Sequence, residues 1–493
     1  MRNKLFINNE WRSAEKTFAV VNPANEETFM ECAQANAADM DTAVRAARDS
    51  FYSKSWGKAT TGKYRAEIVR KMGQGLRDNL EDFAILETMD NGKPITEARA
   101  DIEACADIFE YFAKLGEELD DTGAHGGTVP LKLGDPAFTG NMRKEPVGVI
   151  GAVTPWNFPL LQAAVKVAPG LAAGCSMVLK PSTLCPATCL RLGDLALEAG
   201  LPPGALNIVP GTGREAGQSL LDHKLVHRLS FTGSGPVGQK VLEAAAKRLI
   251  PASMELGGKG AIVVFDDVDI DKAVDWVMVG IYICSGQICS ATSRLILQDT
   301  IYDKFMGRLH EEVAKLKLGD PLDNSTQVGP IVSKDQQEDI LGYIARARAE
   351  GIKVTGGGTG DFSKGYWVTP CIMENLQDKS ESWKEEIFGP VLAVRSFKSE
   401  EEAVHLANDS IYGLANAVCT VDEARCLRVA EQLHAGVVWQ NCSNVVPTEA
   451  PFGGFKESGF GKEFGEMGFE EYLQVKTILR CDPSYSWKWF VNK

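Results

Sequence analysis

The chain has 493 residues, 44% of them hydrophobic and 24% charged, a composition that excludes a disordered chain and suits about two to four globular domains. With 52 Lys and Arg against 66 Asp and Glu, its formal charge is −14, and no Lys/Arg run sets a basic face apart, which excludes nucleic acid as a partner. The opening MRNKLFINNEW lacks an apolar run of signal-peptide length, no stretch of about 18 apolar residues offers a membrane span, and the closing FVNK is not a peroxisomal address; a cytoplasmic protein is expected.

In chain order, residues 40 to 115 carry apolar residues near i, i+3, i+4 and i+7, as in DMDTAVRAARDSF and KYRAEIVRKMGQGLRDNL, which predicts helices. The Gly-rich polar stretch Asp120 to Gly140 predicts an exposed arm or hairpin. From Val147, short apolar runs (VGVIGAVTP, CSMVLKP, ALNIVPG, VHRLSFTG, SMELGGKGAIVVF) alternate with helical stretches such as LRLGDLALEAG and PVGQKVLEAAAKRL. That alternation predicts a parallel, doubly wound sheet. SRLILQ, KFMGRLHEEVAKL, DILGYIARARAEG, VLAVRSF and EEAVHLAND form a second series, so the expected fold is α/β with two such domains. The tail EYLQVKTILR reads as a strand able to pair with the 120–140 arm.

There are 12 Cys, none in C-x-x-C spacing, in a chain too long to be a disulfide scaffold. Free, reduced thiols are expected. His223 and His227 stand at i, i+4, but the supporting residues of a helical zinc motif are missing, so no metal is expected.

Gly233-Ser-Gly235-Pro-Val-Gly238 is a G-x-G-x-x-G after a predicted strand and at the start of a predicted helix. Such glycines allow a tight turn and a close approach of phosphate to the helix N-terminus. The same pattern also serves as a plain helix-capping turn. The fingerprint asks for an acidic ribose ligand about 20 residues on, and Glu255 lies 17 residues beyond Gly238. Gly286-Gln-Ile-Cys289-Ser sets one thiol among small and polar residues. Its local surroundings alone would equally suit an inert buried cysteine.

TPWNFP (154–159), LKPS (179–182), FTGS (231–234), ELGGK (255–259), GQIC (286–289), EEIFGP (385–390) and PFGGFKESGFG (451–461) occur in this order. Together they resemble the aldehyde dehydrogenase superfamily over nearly the whole chain. The resemblance implies a Rossmann-type cofactor domain (1–119 and 141–255), an α/β catalytic domain (256–455), and a small β oligomerisation element (120–140 and 456–493). It implies oxidation of a small-molecule aldehyde by a homodimer or homotetramer with NAD, and no membrane or metal. Cys289 would be the nucleophile, Glu255 the general base in place of a ribose ligand, and Asn157 an oxyanion donor beside the Cys289 backbone N–H. The cofactor would lie on Val153, Thr154, Pro155, Trp156, Lys180, Ser182, Thr183, Gly213, Gly217, Phe231, Gly233, Ser234, Val237 and Leu256. Lys180 would hold the adenine ribose and Glu386 the nicotinamide ribose, with Phe388 against the nicotinamide.

These residue types suit the chemistry: a thiolate attacks the aldehyde carbon, donors stabilise the oxyanion, and a carboxylate activates water against the thioester. Within the superfamily, GQICSATSR, WQNCSN and KEEIFGP resemble betaine-aldehyde and aminoaldehyde dehydrogenases. Those receive a cationic group, which aromatic faces attract. Phe158 and Phe452 match aromatic positions, Tyr282 and Trp439 are candidate additions, and Ile288 and Ser290 flank the thiol. Val165 and Ile283 stand where plant members resemble Trp, so the cage is incomplete. Glu103 and Asp107 lie on a helix that either faces the tunnel mouth or is simply solvated. Thr183 replaces the Glu of many NAD-preferring members, which removes a repulsion for a 2′-phosphate and implies tolerance of NADP. Cys284, five residues before the nucleophile, is a candidate disulfide partner. Two rivals remain: a CoA-acylating or neutral-aldehyde dehydrogenase of the same superfamily, and a crystallin-like protein without activity.

Overall fold

A computed structural model describes residues 2–122 and 129–490. Two open sheets dominate it. The first runs Glu10–Arg12, Leu5–Ile7, Leu206–Ile208, Ser176–Lys180, Val149–Val153, Arg228–Thr232, Ala252–Glu255, Gly459–Phe460. Its five strands between 149 and 255 are parallel, and antiparallel strands close both edges. The second runs Lys353–Gly356, Cys371–Glu374, Val391–Phe397, Arg294–Gln298, Ala261–Val264, Ala415–Cys419, Val437–Gln440, all parallel except the first. Ser176–Lys180, Arg228–Thr232, Ala261–Val264 and Ala415–Cys419 are buried along their whole length. That is why their apolar runs do not alternate: helices cover both faces of a parallel sheet.

The helical stretch resolves into Ala37–Phe51, Gly62–Asp78, Leu80–Asn91 and Ile95–Thr122. Asn36 opens the first with a capping box: its side chain accepts from the Ala38 and Asp39 N–H groups while Asp39 accepts from Asn36 N–H. Helix Ile95–Thr122 packs along Gly62–Asp78 and Pro159–Ala173. Trp56 is wholly buried beside this bundle and donates its indole N–H to the Cys175 carbonyl at 2.9 Å.

The tail strand Leu473–Cys481 pairs antiparallel with Phe138–Pro146, which also pairs with Val129–Leu131. The pairing strand thus extends past residue 140, and residues 123–128 of the expected arm lie outside the described residues. Gly459–Phe460, in the segment assigned to the tail, instead edges the first sheet beside Ala252–Glu255. All 12 cysteines are free thiols. His223 pairs with Asp41 at 3.1 Å, while His227 Nδ1 accepts the Val149 N–H at 2.9 Å. No helix among the described residues is long and apolar enough to cross a membrane.

Replacing Trp56 by Ala opens a cavity and strands the Cys175 carbonyl, so unfolding stability should fall by about 3–5 kcal/mol. Chemical denaturation against wild type checks this.

Candidate active site

The loops after the parallel strands of the first sheet converge on the second sheet, where open α/β folds bind ligands. Asn157 follows strand Val149–Val153, Glu255 ends strand Ala252–Glu255, and Cys289 precedes strand Arg294–Gln298. All three line one cleft of about 300 Å³ with Leu256, Glu386 and Phe388. A second cleft of about 290 Å³ is lined by Val153, Thr154, Lys180, Ser182, Thr183, Gly213, Gly217, Phe231 and Val237. Pro155, Trp156, Gly233 and Ser234 border both, so the two form one trough. Every residue assigned to the cofactor from sequence therefore lines this trough.

Close backbone approach shapes the trough's floor. A Cβ on Gly257 would lie 2.2 Å from Glu386 Oε2, and one on Gly258 would lie 2.3 Å from the Cys289 carbonyl oxygen. The Gly258 N–H donates to Glu386 Oε1 at 2.7 Å. Burial, partly offset by that bond and by Lys259, pushes the Glu386 carboxyl up to about 7. Phe388 has φ 56°, a costly value for a side-chain-bearing residue, and its ring meets Trp156 edge-on at 5.2 Å.

In the second cleft Lys180 is buried and donates to the Pro181 carbonyl at 2.9 Å; burial pushes its ammonium down to about 8. Ser234 stands at the N-cap position of helix Gly235–Arg248 without a side-chain capping bond, and Pro236 lies in its first turn. A Cβ at Gly213 or Gly235 would meet open space. A buried lysine, a helix N-terminus and a glycine-lined trough reaching a thiol fit a dinucleotide, with Lys180 available to its adenosine half and Glu386 to the half nearest Cys289.

At the thiol, the Asn157 amide is buried and donates to the Gln287 carbonyl at 2.8 Å, which leaves its second N–H free of that bond. Cys289 is half-buried; burial and the charges of Glu386, Glu255 and Glu463 hold its thiol above the usual range, against a bond from the Ser290 N–H. Glu255 is buried with no protein hydrogen-bond partner on either carboxylate oxygen. Burial raises it well above the ordinary carboxylate range, Glu463 adds to this, and Lys166 and Lys462 oppose. Glu463 itself accepts from the buried Lys166 ammonium and from the Thr232 hydroxyl. A carboxylate raised in this way is more basic than an exposed one, which suits a proton acceptor.

The residues assigned to the aldehyde are less gathered. Ile288 is buried beside Cys289, and Ser290 donates to Asn444 Oδ1 at 2.9 Å. Phe158 is half-buried with the Lys93 ammonium 4.1 Å over its ring. Phe452 is buried edge-on to Phe464 at 6.3 Å. Tyr282 is a correction: it is buried in the core of the second sheet, where its hydroxyl donates to the Cys371 carbonyl at 3.4 Å. An aromatic on the last turn of an apolar helix packs inward because that face meets the sheet. Trp439 is buried in the same core with its indole N–H on the Val445 carbonyl. Glu103 and Asp107 are exposed, and Asp107 accepts from Arg77. Cys284 is buried and contacts the Asn157 carbonyl at 3.5 Å.

Sequence reasoning missed Thr232, Gly257, Gln336, Asp339, Tyr343 and Ile387 in the first cleft, and Leu221 and Val241 in the second. Gln336, Asp339 and Tyr343 share one face of helix Lys334–Ala349. Their helical spacing was visible, but spacing alone does not say which face meets a cleft.

A parallel sheet whose carboxyl edge holds a dinucleotide-type trough ending at a thiol makes this an α/β protein of the nucleotide-dependent oxidoreductase type. The model of the aldehyde dehydrogenase family matches residues 11–478. Aminoaldehyde dehydrogenase 2, peroxisomal, of Malus domestica is 46% identical over 494 residues, covering 99% of this chain and 97% of the relative. Betaine aldehyde dehydrogenase 1 of Oryza sativa subsp. japonica is 44% identical, with the same two shares of 99% and 97%. The crystal structure of betaine aldehyde dehydrogenase from Staphylococcus aureus in complex with NAD+ superposes with TM-score 0.95 at 38% identity, covering 99% of this chain and 97% of that one. The chain belongs to the aldehyde dehydrogenase family, and it is an aldehyde dehydrogenase.

Two outcomes follow from the geometry. In Glu463→Gln a negative charge beside Glu255 is lost, so Glu255 ionises at lower pH, and the acid limb of the kcat–pH profile should move to lower pH. Gly258→Ala drives a Cβ into the Cys289 carbonyl and should cut kcat by about 100-fold or more, read by steady-state kinetics on folded protein.

Proposed function

We propose that the chain oxidises an ω-amino or trimethylammonio aldehyde to its carboxylic acid with NAD, and that it tolerates NADP. The carrying observation is that Cys289, Asn157 and Glu255 line one cleft continuous with the trough that suits the cofactor. The names of the apple and rice relatives and the NAD+ complex of the bacterial structure support the substrate class and cofactor.

The Cys289 thiolate adds to the aldehyde carbon and forms a thiohemiacetal. Its oxyanion draws on the second Asn157 amide N–H and on the Cys289 backbone N–H, which are preorganised and shielded from bulk water. The dinucleotide, when bound, supplies the acceptor for the hydride that leaves this carbon. Glu255 then takes a proton from water as that water attacks the thioester, releasing the acid and restoring the Cys289 thiolate. Glu255 serves better as this base than as a ribose ligand, because it lines the cleft of the thiol while Lys180 lines the adenosine end.

Thr183 lines the trough beside Lys180 and Ser182. It carries no charge to repel a 2′-phosphate and can donate a hydrogen bond to one. For assembly we propose a homodimer or homotetramer through strand Leu473–Cys481, which is almost wholly exposed and presents Val475, Ile478 and Leu479. The free thiols throughout support a reducing, cytosolic location.

Glu255→Gln should keep one burst of NADH per active site and lose steady turnover by about 100-fold or more; a collapse of cofactor affinity instead would make Glu255 a ribose ligand. Wild-type kcat/KM with NAD should exceed that with NADP by less than about 100-fold, and Thr183→Glu should widen the gap. A panel of betaine aldehyde, aminopropionaldehyde, aminobutyraldehyde, trimethylaminobutyraldehyde and a neutral aliphatic aldehyde, run with both cofactors, tests the substrate class.

A further inference from the structure

Just before the thiol, the chain passes through three consecutive left-handed residues: Cys284 (φ 49°), Ser285 (φ 53°) and Gly286 (φ 73°). Gly286 is required there, because a Cβ would lie 2.1 Å from the Gly389 carbonyl oxygen. Cys284 and Ser285 carry side chains that disfavour this conformation, so contacts from outside must hold it.

The contacts are specific. The Ser285 hydroxyl donates to the Gly329 carbonyl at 2.7 Å. Gln287 spans the turn, donating to the Cys284 carbonyl at 3.0 Å and accepting the Val332 N–H at 3.0 Å. The Cys284 thiol reaches the Asn157 carbonyl. The Cys284 N–H, at the start of the turn, donates to Glu97 Oε2 at 2.8 Å.

Glu97 sits in the first turn of helix Ile95–Thr122, and the residues around it brace the same place. Asn91 donates to the Trp156 carbonyl at 2.7 Å and the Asn157 carbonyl at 3.3 Å. Lys93 pairs with Asp101 at 2.5 Å. Burial pushes the Glu97 carboxyl up to about 7, against the Cys284 N–H bond and the nearby Lys93, with Asp101 adding to the rise.

We infer that Glu97 is a positioning residue for aldehyde oxidation: its carboxylate pins the Cys284 N–H and so fixes the left-handed turn that sets Cys289 against the Asn157 amide. This inference rests on Cys289 being the nucleophile. Glu97 bonds to the Cys284 N–H and is not among the residues lining the cleft of Cys289. It acts on the backbone five residues upstream, and through Gln287 and Cys284 the turn bonds to both ends of Asn157.

The test compares full-length Glu97→Ala, Glu97→Gln and wild type for kcat per folded site, aldehyde KM and affinity for NAD+ by fluorescence. Displacement of a nucleophile by about 1 Å costs on the order of 100-fold. Glu97→Ala should therefore lose about 10- to 100-fold in kcat, with NAD+ affinity held within about 3-fold. Glu97→Gln, which keeps an acceptor oxygen for the Cys284 N–H, should return to within about 5-fold of wild type. Wild-type kcat in Glu97→Ala, equal losses in both variants, or failure of both to fold would each overturn the inference. Cys289→Ser is the separate control: if it turns over, the nucleophile assignment fails whatever Glu97 does.

Discussion

Five residues carry the chain from one sheet to the other, and the site depends on how tightly they are packed. Glu255 ends the last parallel strand of the first sheet, and Ala261 opens an interior strand of the second. Between them Gly257 lies against the Glu386 carboxylate and Gly258 against the Cys289 carbonyl, with no room for a Cβ at either. Glu255, Glu386 and Cys289 are thus referenced to one short peptide.

That packing also sets the electrostatics. Glu255, Glu386 and Cys289 are all held toward their neutral forms, with burial as the leading cause. A site with such groups charged in water would spend its field on solvent; here each unit of charge is strongly felt by its neighbours. Lys166 and Glu463 form a buried ion pair behind Glu255. Removing either member alone would leave the other's charge uncompensated beside Glu255. The pair therefore couples Glu255 to helix Pro159–Ala173, which begins directly after the Asn157–Phe158 step.

The trough was legible through the resemblance of seven ordered motifs; residue chemistry alone offered only the glycine turn Gly233–Gly238. The two parallel sheets were legible from unbroken apolar runs. Cys289 stands out from the other thiols only together with the remaining motifs, since its own neighbours do not separate a nucleophile from a buried thiol. Tyr282 failed because an aromatic at the end of an apolar helix carries no mark of which face it presents. Glu97 was invisible because its role depends on a left-handed turn 187 residues away, and no local pattern encodes a backbone strain that distant contacts impose. The hairpin Lys16–Asn22 with Glu27–Gln34 passed unread for a related reason: its exposed, half-buried and buried positions do not alternate strictly, so its apolar periodicity is weak.

Phe158 shows why the aldehyde itself stays the hardest part to read. One face of its ring is already occupied by the Lys93 ammonium at 4.1 Å. A substrate cation on the other face would stand roughly 8 Å from Lys93, where like charges at an effective dielectric near 20 repel by about 2 kcal/mol. A cation–π contact is itself worth about 1–2 kcal/mol, so the ring alone would give no net attraction. Asp101, 2.5 Å from Lys93, decides the balance by cancelling the internal charge. On this chain, any attraction of a cation to Phe158 therefore depends on the Lys93–Asp101 pair as much as on the aromatic ring. A count of aromatic positions along the sequence cannot register it.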